Sequence, residues 1–252
     1  MLIVGDFRQL PPVDGDNLRL NPVFTSIPLN KINLIVQKRS ESAEYAHFLQ
    51  RLSDSIESKV YDPEVANTLD YILSTDLGFR PRPKNAQFLS LLREVSNSIN
   101  NNAIQSPVIT IGNTSLTHGC PVQLTRNIYN SSKAIFANGD FATFLHLEKN
   151  KKEFKEGEFS IKQCKNATVV VSCHNTVIRI PIFKRDIGVE PAFCVRVHRV
   201  QGLTIKGRMH INFKGIENFD PKVIYVALSR GTNFNLVSCE NLNSDVLHRL
   251  LS

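Results

Sequence analysis

The sequence predicts an α/β protein interrupted by an antiparallel β insertion, with an extra strand at the front that belongs to another domain. Three observations carry this. Helical periodicity dominates from about residue 40 to 100. Between about 117 and 184, short runs rich in Val, Ile, Phe and Thr alternate with turn residues. From 191 onward, buried apolar runs again end in polar loops, the pattern of an open α/β sheet. At 252 residues and 42% apolar, the chain is long enough for one large domain or two ordinary ones and can bury a core.

The elements follow in order. Residues 1–4 are a short apolar strand, and 5–22 are its exit loop, stiffened at Pro11-Pro12. Tyr45, Phe48, Leu49, Leu52 and Ile56 fall at helical spacing over Ser40–Ser58, with Ser40 or Ser42 as cap. A second helical pattern covers about 62–75, Leu77–Lys84 reads as a loop, and Leu89–Ile99 as a third helix. The β runs are SPVITIG, CPVQLTRNIY, DFATFLHLE, ATVVVSCH and TVIRIPIF, punctuated by Asn138-Gly139-Asp140 and Gly157. The charged stretch 148–159 reads as a solvated hairpin tip, with contact to a phosphate backbone as the alternative. AFCVRVHRVQGLT is then a strand and a polar loop, MHINF and VIYVALSR are two buried strands, and SDVLHRLLS is a short helix capped by Ser244 or Asp245.

The net charge of +7 suits a polyanion partner but decides little alone. Five cysteines, at 120, 164, 173, 194 and 239, are an odd and widely spaced set, unlike a disulfide framework. Cys164, Cys173 and His174 invite a zinc reading. No C-x-x-C pair exists, however, and the adjacent Cys173-His174 is a poor ligand pair, so no metal site is expected. No signal peptide and no bilayer-spanning run is visible, so a soluble intracellular protein without membrane contact is expected.

Three segments put unusual polar groups at the ends of apolar runs. In GDFRQLPP, Gln9 both donates and accepts, and can sense a terminal phosphate or its attacking water without adding charge. An ordinary strand–loop is the competing reading. In VHRVQGLT, His198, Arg199, Gln201 and Thr204 crowd one loop in which Gly202 permits close backbone approach to phosphate oxygens. In YVALSRG, an apolar run delivers Arg230 to an element's end, where a guanidinium can neutralise a γ-phosphoryl group in transfer. A surface salt bridge is the simpler reading of that arginine alone.

Taken in order, VGDFRQLPPV, VHRVQGLT and VIYVALSRG resemble motifs III, V and VI of superfamily 1 helicases of the Pif-type and RecD-like branch. VQKRSESAEYAHFLQRL resembles the motif IV segment, with Arg39 as its arginine. QFLSLLREVSNSIN resembles the stretch in which the second domain's first strand leads into a helix ending in Asn, here Asn100. GCPVQLTRNIYNSSKAIFANGDFATF resembles the opening of a small inserted β-barrel.

The resemblance implies the end of a first RecA-like domain at 1–25, a second RecA-like domain at 26–116 and 185–252, and an inserted β-barrel at 117–184. It implies an ATP-dependent DNA helicase that translocates on single-stranded DNA, typically 5′ to 3′, and unwinds duplex. Replication, repair, recombination and telomere maintenance are all processes open to that family, and the sequence does not choose among them. Carried over by position, Gln9, Arg39 and Arg230 would serve the γ-phosphate, with Gly202 beside the nucleotide. His198, Gln201 and Thr204 would meet the DNA strand. Arg196 stands where the family usually has Thr, and adds a cation beside the strand path. With no Trp in the chain, base stacking would fall to Phe, Tyr or His.

The phosphate loop G-x-x-x-x-G-K-[ST] does not occur in these residues, and only Met1–Val4 precede motif III, where an acidic Mg²⁺-binding pair is expected. The chain is therefore expected to begin at the last strand of the first RecA-like domain and to be inactive alone. ATP and Mg²⁺ would need a complete first domain, in cis or in trans. Two classes of function follow: the C-terminal part of a helicase acting on single strands and DNA junctions, or a non-catalytic remnant that binds single-stranded nucleic acid or a partner chain. The expected location is the nucleus or mitochondrion of a eukaryote, or the host cell of a virus.

Overall fold

Ser42 starts helix α1 (Ala43–Ser58) by accepting a hydrogen bond from the Tyr45 amide at 3.2 Å. Its buried face is Tyr45, Phe48, Leu49, Leu52 and Ile56, as the spacing predicts, and Lys59 closes it in the left-handed conformation. Asp62 caps α2 (Pro63–Thr68), which runs into a π-helical turn over Leu69–Leu73. Arg51 of α1 grips the same Asp62 with one guanidinium edge, Nε and a terminal nitrogen donating to its two carboxylate oxygens at 2.8 and 2.7 Å. The chain continues through β1 (Gln87–Ser90), α3 (Arg93–Ala103), β2 (Ile109–Ile111), β3 (Thr114–Leu116), β4 (Pro121–Leu124), β5 (Ile128–Asn130) and β6 (Lys133–Phe136). Next come β7 (Phe141–Lys149), β8 (Lys152–Glu153), β9 (Ala167–Cys173), β10 (Thr176–Pro181), β11 (Val189–Pro191) and β12 (Cys194–Arg196). The last elements are β13 (Met209–Asn212), α4 (Lys222–Leu228), β14 (Val237–Glu240) and α5 (Ser244–Leu251). This computed structural model describes Pro22 and residues 40–78, 85–111, 114–130, 133–149, 152–153, 167–182 and 186–252. The opening strand, Gln9 and Arg39 lie outside the described residues, as do Cys164 and most of the charged stretch 148–159.

The chain divides into two units. One comprises residues 1–92 and 196–252, the other 93–195. In the first, β1, β13 and β14 pair in parallel, with Leu89 opposite Ile211 and Ile211 opposite Cys239. Those residues are fully buried, as are Tyr45, Leu49 and Leu52 of α1 and Val223, Ile224 and Val226 of α4. Buried on all sides, parallel strands carry continuous apolar runs rather than alternation.

In the second unit, β10, β9, β7, β4 and β11 form an antiparallel sheet in that order, with β8 paired to β7. Its core gathers Val122, Leu124, Phe144, Val169 and Val171 with Ile109 and Leu116 from the β2–β3 hairpin. Asn100 of α3 ties the end of this region down. Its amide donates to the Pro191 and Cys194 carbonyls at 3.1 and 3.0 Å, and its oxygen accepts from the Cys194 amide at 2.8 Å.

Three sequence expectations are corrected. VIYVALSR is not a strand: residues 222–228 form helix α4. A run buried on every side shows no period, and the signal for its start is Asp220-Pro221, where the Asp220 carboxylate accepts from the Lys222 amide at 2.9 Å. The helix expected over Leu89–Ile99 begins only at Arg93, because Leu89 and Ser90 belong to β1. The cap of α5 is Asn243, whose side chain accepts from Val246 at 3.0 Å. Neither Ser244 nor Asp245 fills that role, and the Ser244 amide donates instead to Asp70 at 2.8 Å. Among the described residues, no helix is long and apolar enough to cross a membrane.

Candidate nucleotide and nucleic-acid interface

The first unit gathers two of the three polar segments singled out in the sequence. After Arg196, a 3₁₀ turn over Val197–Val200 buries both valines and leaves His198 exposed. A β-turn follows, closed by the Leu203 amide donating to the Val200 carbonyl at 3.0 Å. Gln201 (φ −59°, ψ 128°) and Gly202 (φ +88°) have type II turn geometry, which demands positive φ at the third position. A Cβ on Gly202 would meet nothing within 4 Å, so backbone conformation, not space, selects glycine. Gln201, Gly202, Thr204, Lys206 and Arg208 are exposed, and Arg196 and Arg199 are half-buried.

His198 lies 6.0 Å from the Phe219 ring. Loss of water to the surrounding protein, and then the Arg196 charge, push its pKa below the usual imidazole value. At neutral pH the ring is therefore a neutral donor and acceptor among cations. That suits hydrogen bonding to a phosphate or sugar oxygen more than charge neutralisation.

Arg230 stands just past the C-terminus of α4 and is 1% exposed. Its Nε donates to the Val226 carbonyl at 2.9 Å, one terminal nitrogen to the Leu203 carbonyl at 3.1 Å, and the other to Ser229 Oγ at 2.8 Å. The Arg230 carbonyl in turn accepts from the Ile205 amide at 2.8 Å. The arginine thus clasps the 198–204 loop from both its side chain and its backbone. Two further contacts fix its position. The Tyr45 hydroxyl donates to the Leu228 carbonyl at 2.6 Å. At Gly231, a Cβ would fall 2.2 Å from a methyl of Val237, so no larger residue fits.

The structure therefore brings together Arg196, His198, Gln201, Gly202, Thr204 and Arg230, while Gln9 and Arg39 are outside the described residues. Sequence reading missed the exposed Lys206 and Arg208, whose signal was a basic tail on the same motif. It also missed Tyr45, a core aromatic whose hydroxyl has no sequence signature.

No family model matches the chain, and no curated protein does. Solved structures do. The chain superposes on Pif1 helicase from Candida albicans with a TM-score of 0.66 and 16% identity, over 98% of this chain and 66% of that one. It matches a chain from a structure of DNA unwinding at forked duplex DNA by two coordinating Pif1 helicases, with a TM-score of 0.58 and 16% identity, over 82% of this chain and 49% of that one. The Pif1 helicase from Bacteroides in complex with ADP-AlF3 and single-stranded DNA gives 0.55 and 17% identity, over 93% and 60%. The chain thus spans between half and two thirds of the length of these helicases. Over most of its length, the chain resembles the Pif1 helicases and has their fold.

Proposed function

We propose that this chain is the C-terminal part of an ATP-dependent DNA helicase that couples ATP hydrolysis to 5′-to-3′ movement on single-stranded DNA and to unwinding at junctions. In this reading, the three parallel strands belong to the sheet of its second RecA-like domain, and the antiparallel sheet is the small β-barrel inserted in it. The observation that carries the reading is the Arg230 clasp. It makes one unit of a loop suited to a nucleic-acid backbone and an arginine suited to a phosphate, within a fold shared with Pif1 helicases.

His198, Gln201 and Thr204 would hydrogen-bond the strand, and Arg196, Arg199, Lys206 and Arg208 would neutralise its phosphates. The described residues do not by themselves form a nucleotide site. The Arg230 guanidinium is spent on protein acceptors, and the chain has no G-x-x-x-x-G-K-[ST] cradle. ATP and Mg²⁺ would be held by a first RecA-like domain, in cis or in trans. Arg230, with Gln9 and Arg39, would then face the phosphates only after leaving its present acceptors. The same internal engagement of Arg230 favours the second reading, a non-catalytic chain that binds single-stranded nucleic acid or a partner.

The test is fluorescence anisotropy of labelled single-stranded DNA across a salt series, with ATP hydrolysis measured in parallel. Four cations on the loop predict a log–log salt slope of about −3, at about −0.7 per phosphate neutralised. Removing Lys206 and Arg208 together should reduce its size by about half. The chain alone should show no DNA-stimulated hydrolysis. Hydrolysis by the purified chain that Arg230→Ala abolishes would refute the inactive state, and binding without salt dependence would refute the interface.

A further inference from the structure

The turn between β9 and β10 brings the neighbours Cys173 and His174 up to Asp140, which is distant in sequence. Asp140, Cys173 and His174 each offer one ligand atom, and the three atoms lie within 4.8 Å of one another. All belong to the second unit, whereas the loop that Arg230 holds belongs to the first. Asp140 ends the Asn138–Asp140 turn that leads into β7, Cys173 is the last residue of β9, and His174 opens the two-residue turn to β10.

Adjacent Cys and His residues in an extended strand point to opposite faces and cannot share an ion. Here the strand has ended. His174 has φ +48° and Asn175 has φ +62°, so the chain reverses in a left-handed two-residue turn. The alternation is broken, and the imidazole comes round to the side of the thiol.

Each donor is held but not consumed. One Asp140 oxygen accepts from the Ala137 amide at 2.8 Å, which orients the carboxylate, and the other makes no hydrogen bond among the described residues. The exposed His174 ring lies flat along Phe136, with centroids 6.3 Å apart and planes at 8°, and neither ring nitrogen has a hydrogen bond among the described residues. Cys173 is buried, with its thiol directed at the Phe141 carbonyl at 3.3 Å. Burial first, and Asp140 second, push that thiol up to about 11, so without an ion it keeps its proton.

We propose that Asp140, Cys173 and His174 form a binding site for one zinc ion. The donor set is one sulfur, one nitrogen and one oxygen. That mixture suits borderline-soft Zn²⁺ and not Mg²⁺ or Ca²⁺, which take oxygen ligands. Donors around a tetrahedral zinc stand about 3.5 Å apart, so with all three atoms within 4.8 Å no pair need close by more than about 1.3 Å. The exposed His174 is free to make that movement. As the sulfur–zinc bond forms, the thiol proton passes to solvent, and the fourth position is left to water. The ion would pin the start of β7 to the β9–β10 turn.

The test uses the full 252-residue chain, titrated with Co²⁺ as a spectroscopic substitute and with Zn²⁺ against a chromophoric chelator. The expected result is one ion per chain, with a thiolate-to-cobalt charge-transfer band that vanishes in Cys173→Ser. Asp140→Asn and His174→Asn should each weaken zinc by at least about tenfold. Asn is at home in the left-handed turn, so His174→Asn should leave the urea midpoint measured in EDTA unchanged. Absence of the band, its survival in Cys173→Ser, or a zinc affinity that neither His174→Asn nor Asp140→Asn changes would overturn the proposal.

Discussion

Asn100→Ala should destabilise the second unit by about 3 kcal/mol. The side chain is 8% exposed and makes three hydrogen bonds, two to carbonyls and one from the Cys194 amide. Cys194 is itself 2% exposed, so its N–H loses a partner in a place water does not readily reach. That loss costs about 1–3 kcal/mol, and each carbonyl loses about 0.5–1.5 kcal/mol. Against this stands a gain of about 0.6 kcal/mol from Ala in place of Asn in a helix. The assay is urea unfolding followed by far-ultraviolet circular dichroism. At a slope of about 2 kcal/mol per molar, the midpoint of the transition carrying the antiparallel sheet should fall by about 1.5 M. Amide hydrogen exchange gives a local reading, since the Cys194 amide should lose protection in the variant. A loss below about 1 kcal/mol, or undiminished protection at Cys194, would refute the view that Asn100 anchors this region.

Three further expectations concern the first unit. Gly231→Ala would drive a Cβ to 2.2 Å from Val237. It should cost about 3 kcal/mol in chemical denaturation, with partial rescue by Val237→Ala. Gly202→Ala keeps open space but not the backbone, because φ is +88° there. A loss of about 1–2 kcal/mol is expected on unfolding, with weaker single-strand binding by anisotropy as the turn reshapes. The carboxyl of Asp62 is held below its ordinary value chiefly by its hydrogen bond to Arg51, against the opposing effect of burial and with smaller help from the Glu64 and Val65 amides. Its stabilisation is therefore complete above about pH 4, the unfolded value, and is lost as pH falls through the lower folded value. Asp62→Asn should flatten the stability profile on the acid side of about pH 5.

Local rules carried the reading where one face of an element is wet. The five apolar residues of α1 alternate with exposed neighbours, and Ser42 caps the helix through its own side chain, so period and cap were both legible. The same rules failed where an element is dry all round. Residues 223–228 are buried without exception, so a helix and a strand predict the same run, and the deciding Asp220-Pro221 lies outside it. On α3 the buried face includes Ser96 and Asn100, polar residues that periodicity assigns to solvent. Resemblance to a known family, not pattern, pointed to Asn100 and to the strand before it. In the candidate site, the residue types of the 198–204 loop and Arg230 were readable, but their mutual clasp was not. It runs through the carbonyl of Leu203 and the amide of Ile205, and backbone groups leave no mark in a sequence. Cys173 and His174 are neighbours in sequence, yet Asp140 joins them only through the pairing of β7 with β9.

The division of the chain into an interrupted unit and a continuous one bears on how the protein is made. Residue 87 of β1 pairs with residue 209 of β13, a separation of 209 − 87 = 122 positions. At roughly 5–20 residues per second on a ribosome, β1 would wait about 6–24 s for its neighbour. Tyr45 waits longer still for the carbonyl of Leu228. Residues 93–195 need nothing from outside themselves for their antiparallel pairings, so that sheet can assemble while the parallel one is still missing its centre. Throughout that interval Leu89 and the apolar face of α1 are uncovered, which makes the nascent first half the segment most exposed to aggregation and most in need of a chaperone.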